Sequence, residues 1–170
     1  VSSFQLDWTI GDGERRIVVV KAGSAVDVSP TDNTVYTADA DFTLGEDIGS
    51  SNIVVFNGTG NSVTITGLTV GTEYHFKVFE YNCEGDPKYL TTAPLTGSQT
   101  TAGVFYSHST TALEDVTNWW TNRDGTGTNP ANFTQDDKQY VIEDDGSSTA
   151  AAWTVSGTNS KVIIETGIGF

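Results

Sequence analysis

The 170-residue chain carries 22 acidic and 8 basic residues, a formal charge of −14, with 36% hydrophobic residues. Such acidity repels polyanions and offers no basic stripe to release counterions, which argues against nucleic acid and against insertion at an anionic membrane surface. The longest apolar run is four residues, as at Ile17 to Val20, far below the roughly 18 that a helical membrane span needs.

The acidity is shared evenly. Residues 1–101 hold 13 acids and 5 bases, and residues 102–170 hold 9 and 3, a distribution that suits solubility rather than one charged partner face. One cysteine, Cys83, rules out an internal disulfide framework and reads as a small residue in a strand-end loop. The chain has no methionine and opens on Val1 inside an apolar alternation, so further sequence is expected upstream.

In chain order, SFQLDWTI alternates Phe4, Leu6, Trp8 and Ile10 with polar residues and predicts a strand closed by the GDG turn at 11–13. RRIVVVKAG predicts a strand apolar on both faces. Residues 24–50 read as a long polar connection holding a short strand at NTVYTA. NIVVF (52–56), the NGTG turn and SVTITGL predict two more strands. GLTVGTEYHFKVFEYN (67–82) alternates strictly, with Tyr74, Phe76 and Val78 on one face and His75, Lys77 and Phe79 on the other. YLTTAPLTGSQTT bears Pro94, which suits an edge strand. Six or seven strands in the first hundred residues predict an antiparallel β-sandwich.

The placement of Tyr74, six residues after Leu68 and three after Gly71, fits a tyrosine corner, in which the ring packs between sheets and the hydroxyl bonds to corner backbone. Trp8, Leu68 and Tyr74 are therefore read as structural corner and core residues. With Trp8 in its second strand and the LxxGTxYxFxV run at its sixth, residues 1–101 resemble a fibronectin type III domain. WTIGDGERRIVVVKAGSAV, VYTADADFTLGEDIGSSNIVVFNGTG and EYN…YLTT are similar to the variant found in secreted, multidomain proteins of Bacteroidetes. The resemblance implies an extracellular or cell-surface setting, type IX secretion, and a sandwich whose first strand is missing. An open edge along Phe4–Ile10 and a slot beside Trp8 would follow. KVIIETGIGF (161–170) is a candidate donor strand from a neighbouring copy.

Residues 102–170 are expected to form a smaller β-rich module. Thr111 and Glu114 stand at capping-box spacing before a turn of helix, with Val116 and Trp120 on the face of Leu113. QYVIEDDG, AAWTVSG and KVIIETG predict three short strands of steady spacing, as at the start of a β-solenoid. The tract resembles the one that leads into β-helix-like repeats in the same secreted proteins.

Chemistry-bearing signals are few. His75 and His108 are 33 residues apart, and no metalloprotease, thiol, nucleophile-elbow or phosphate-loop motif is present; the chain is not expected to be an enzyme or to need a cofactor. NRDGTG (122–127) and EDDG (143–146) put oxygen ligands beside glycines, as Ca2+ would want, but solvated turns are the preferred reading. Asn57 and Asn132 head glycosylation-type triplets. Trp119 and Trp120 are the candidate glycan-stacking residues, one of the pair and Trp153 being expected in the core. The expected role is a structural, adhesion or spacer module whose partners are adjacent domains or neighbouring subunits joined by β-strand addition. The alternative is a carbohydrate-binding module that carries extracellular polysaccharide to an attached enzyme.

Overall fold

β-branched and aromatic residues at every second position give an all-β chain whose only helical feature among the described residues is one 3-10 turn, Val116–Asn118. The computed structural model describes residues 2–109, 111–143 and 147–165. The chain divides into two compact units, Val1–Thr101 and Ala102–Phe170.

The first unit contains β1 (Ser2–Asp7), β2 (Arg15–Ala22), β3 (Ile53–Gly58), β4 (Ser62–Leu68), β5 (Glu73–Asn82), β6 (Lys88–Tyr89) and β7 (Leu95–Thr100). One sheet is the antiparallel pair β1–β4. The other runs β3-β2-β5, with β6 and β7 occupying successive parts of the far edge of β5. Leu6, Trp8, Val18, Val20, Ile65 and Tyr74 meet between the sheets. Pro94 stands just before β7, where its missing N–H interrupts no ladder.

β2 is apolar on both faces because both are covered. Ile17, Val18, Val19 and Val20 are all fully buried. Ile17 and Val19 sit in a second core with Val26, Val54, Phe79, Tyr81 and Tyr89, sealed by Tyr36, Ala38 and Ile48. Most of that cover comes from the 24–50 connection. The short strand expected at NTVYTA is not formed. Instead the segment crosses the sheet as irregular backbone held by side chains: Asn52 Nδ2 donates to Asp27 Oδ1 (2.8 Å), and Thr37 N donates to Glu46 Oε2 (2.6 Å). Burial of a hydrophobic face against the sheet outweighs ladder hydrogen bonds here. Further on, Phe42 N donates to Thr66 O and Thr66 N to Ala40 O, so the connection also lines the free edge of β4. Phe42 then reaches the inter-sheet core, its ring 5.1 Å from that of Tyr74.

The slot expected beside Trp8 is closed. Trp8 is 6% exposed and Leu6 7% exposed, with the Phe56 ring edge-on to Trp8 at 5.1 Å. The uncovered part of the core lies at β7. Leu95 stands opposite Val78 and so shares its inward face, yet it is 49% exposed. Among the described residues β1 pairs only with β4, which leaves its other edge open.

The second unit contains β8 (Gly103–Ser107), β9 (Trp119–Trp120), β10 (Lys138–Ile142) and β11 (Lys161–Ile164), in the order β11-β10-β8-β9. β8, β10 and β11 are parallel, and β9 closes one side as an antiparallel edge. Phe105, Leu113, Trp119, Phe133, Tyr140 and Ile142 form the core, with Val116, Trp153 and Val155 against it.

Three expectations fail in this unit. The capping box at Thr111 and Glu114 does not form: Ala112 has φ 56, Asp115 caps the 3-10 turn, and the Glu114 carboxylate accepts the N–H of Ala150. AAWTVSG is not a strand either. Both edges of β10 are taken by β8 and β11, and Trp153 and Val155 contribute side chains to the core without a ladder. The proposed donor strand is likewise committed, because Lys161–Ile164 pairs with β10; residues 166–170 lie outside the described residues.

Candidate functional site

The tyrosine corner is in place. Tyr74 is 2% exposed and its Oη accepts the N–H of Thr69 (2.9 Å), so the corner group it satisfies is a donor and not a carbonyl. Thr101 laces the same corner, donating from Oγ1 to Thr69 O (2.6 Å) and accepting from Thr72 N (3.0 Å). Gly71, at φ +67, makes the turn that brings these groups together. Leu68 is 3% exposed beneath it, and Trp8 lies in the same core. His75 projects to the other face, 3.5 Å from Glu73. All of these residues hold structure.

One polar cluster was not visible in the sequence. Arg16, directly before the apolar run of β2, is 1% exposed. Its guanidinium donates to Thr59 O (2.7 Å), Gly13 O (3.0 Å) and both oxygens of Glu80 (3.3 Å each). The Glu80 carboxylate also accepts from Gly11 N (3.0 Å) and Gly13 N (2.6 Å). Desolvation alone would raise the Glu80 pKa, but these hydrogen bonds and the Arg16 charge together hold it below the usual value. The GDG turn thus clamps onto β5. Beside the clamp is a cleft of about 470 Å³ lined by Thr9, Asp12, Val78, Leu90, Pro94 and Leu95 among others. An arginine pair opening an apolar strand just after a double-glycine turn was the available signal, but it named no partner.

The tryptophan pair separates. Trp119 is fully buried, donates from Nε1 to Leu113 O (2.8 Å), and packs against Phe133, Tyr140 and Trp153. It is core, and its candidacy as a glycan-stacking residue is withdrawn. Trp120 points the opposite way and is partly exposed. It stands opposite Tyr106 across the β8–β9 pair, so the two rings share the outer face of the sheet. The Arg123 guanidinium lies over the Tyr106 ring, 4.5 Å from its centroid, and bonds Glu165 (2.5 Å) and Glu143. The hydrogen bond that Arg123 donates to Glu165 and the two carboxylate charges raise the Arg123 pKa further above its already high value. Exposed His108 meets the Trp120 ring edge-on at 5.9 Å.

NRDGTG serves to build this corner. Thr126 N and Oγ1 both donate to Asp124 Oδ1 (3.0 and 2.5 Å), which ties the loop into a turn and leaves Arg123 aimed at Tyr106. Of EDDG, residues 144–146 lie outside the described residues. Among the described residues no group of three or more His, Cys, Asp or Glu side chains is arranged to hold a metal ion. Asn57 Oδ1 accepts from the Tyr81 hydroxyl (2.5 Å) and Asn132 Oδ1 from Thr134 N (2.9 Å), so both sequon asparagines are engaged in local structure. Cys83 is exposed in the turn after β5, at φ 65. No protein-family model matches the chain, and no curated protein matches it.

Proposed function

We propose that this chain is a non-catalytic structural module of a secreted or cell-surface bacterial protein, a spacer or adhesion unit joined to its neighbours by β-strand addition. On this reading residues 1–101 are a fibronectin type III-like sandwich and residues 102–170 are the first coils of a β-solenoid. Support for the first part comes from the β1–β4 and β3-β2-β5-β7 pairings, the Thr69–Tyr74 corner bond and Trp8 in the core. Support for the second comes from three parallel strands stacked in sequence order.

The observation that carries the reading is an unfinished core at two open strand edges. In the sandwich, β1 lacks a second partner among the described residues, and on the opposing sheet inward-facing Leu95 of β7 is 49% exposed next to the cleft. In the second unit, Val162 and Ile164 stand beside Tyr140 and Ile142, which are fully buried, but are themselves 40% and 48% exposed. Apolar residues on the core face of an open edge are a template for a further strand, which supplies backbone partners and cover together.

Amide hydrogen exchange tests this, run with solution scattering over a wide concentration range. Strand addition by neighbouring copies predicts association together with slowed exchange in β1 and β11. If the chain stays monomeric, the same exchange measurement on the chain with its natural flanking sequence decides the matter. Fast exchange in both edges there would remove the reading.

A further inference from the structure

The outer face of the β8–β9 pair has features that strand addition does not use. Trp119, held in the core by its Nε1–Leu113 bond and by Asn129 Nδ2 donating to its carbonyl (2.6 Å), directs Trp120 to the opposite, outer face. An indole has only two side-chain torsions to order when a ligand settles on it, so its entropic cost is small. Tyr106, opposite Trp120 in the β8–β9 pair, is covered by the Arg123 guanidinium, which two carboxylates from different strand ends, Glu143 and Glu165, hold in place. Exposed His108 stands on another side of the indole.

An apolar ring bordered by immobilised hydrogen-bonding groups suits a ligand with an apolar C–H face and a rim of hydroxyls. A purely apolar partner would have to desolvate the Arg123 ion-pair network with nothing to offer it. A polyanionic ligand is opposed by the two carboxylates and by the charge of −14.

We propose that this face binds an uncharged pyranose of an extracellular polysaccharide, with Trp120 as the stacking platform and Arg123 with Glu143 and Glu165 as the hydrogen-bonding rim. The site is independent of strand addition and would give the module an adhesive function of its own. It differs from the candidate pair that the sequence suggested, because only one of the two tryptophans takes part and the carboxylates of the polar rim lie 20 and 42 positions after Arg123 in the chain.

The test uses the whole 170-residue chain. Cellohexaose, laminarihexaose and maltohexaose are titrated against it while the four indole N–H signals are followed by NMR, with hexagalacturonate as the charged control. The expected result is a saturable shift of the Trp120 signal with at least one neutral oligosaccharide and none with the control. Trp120→Ala should then weaken binding about tenfold or more, the loss of one aromatic contact and its buried area. If that variant unfolds, Trp120→Tyr keeps a ring in place and should retain measurable binding. Glu165→Gln, which leaves the ring untouched, should weaken binding without moving the melting temperature. No shift with any neutral sugar, an equal response to hexagalacturonate, or unchanged binding by Trp120→Ala would overturn the proposal.

Discussion

Tyr74 buries its ring between the sheets and gives its hydroxyl to the N–H of Thr69. Tyr74→Phe keeps the ring and removes the acceptor. Because Thr69 is itself exposed, the freed N–H regains water, and the cost should fall at about 1–2 kcal/mol in urea denaturation. A change within error would mean that the corner bond contributes nothing. The Arg16–Glu80 clamp calls for a larger effect. Glu80→Gln leaves the guanidinium 1% exposed with its charge uncompensated, a defect worth about 3 kcal/mol. Arg16→Met removes the charge instead, so it should cost less, and the double variant should recover part of the Glu80→Gln loss. A double-mutant cycle measures that coupling; additive effects would show that the pair does not act as a unit.

At the scale of elements, the 24–50 connection behaves as a lid glued to the large sheet. A Cβ on Gly45 would collide with the Val54 carbonyl and stand 2.7 Å from a methyl of Ile53, so the backbones touch there. Gly45→Ala should lift the connection and destabilise the sandwich by about 1–3 kcal/mol. Faster hydrogen exchange confined to residues 36–48 is the expected signature, and unchanged exchange would show that the close approach is not needed.

The same connection marks where the sequence stops being readable. RRIVVVKAG announced burial on both faces, and the alternation of β5 fixed its register. What covers the outer face could not be read, because Val26, Tyr36, Ala38 and Ile48 follow no period. Period 2 required Trp119 and Trp120 to face opposite ways. Which one turned inward depended on Leu113 and Tyr140, which reach it from outside its own strand. AAWTVSG had the pattern of a strand, but both edges of β10 go to β8 and β11, and Trp153 and Val155 are spent as core side chains. Arg123 could be seen in its turn, but its partners at Glu143 and Glu165 come from the ends of parallel strands whose stacking no local pattern encodes.

At the scale of the whole molecule, like charge outweighs pairing. With 22 acids against 8 bases, at least 14 carboxylates cannot have a basic partner of their own. Several of the ion pairs are also surface ones, such as Arg15–Glu84 and Lys88–Asp32, which stabilise little. Added salt should therefore stabilise the protein at pH 7, since screening repulsion among many acids outweighs weakening a few exposed pairs. Acid acts on two opposed effects. Protonating carboxylates relieves repulsion, but Glu80 is held below its ordinary pKa, so its contribution is complete above the unfolded value of about 4.3 and is lost as pH falls through the folded one. Asp27, held down first by its hydrogen bond from Lys21, and Asp115, held down by Thr117, lie lowered in the same sense. The first unfolding transition should thus hold steady from neutrality to about pH 5 and drop below about pH 4, where Arg16 loses its counter-charge. Calorimetry across pH at low and high salt checks both claims. Salt should raise the transition at pH 7 and do so less at pH 4, where fewer carboxylates remain charged. A transition that salt lowers at pH 7 would show that ion pairs, and not repulsion, govern the stability of this chain.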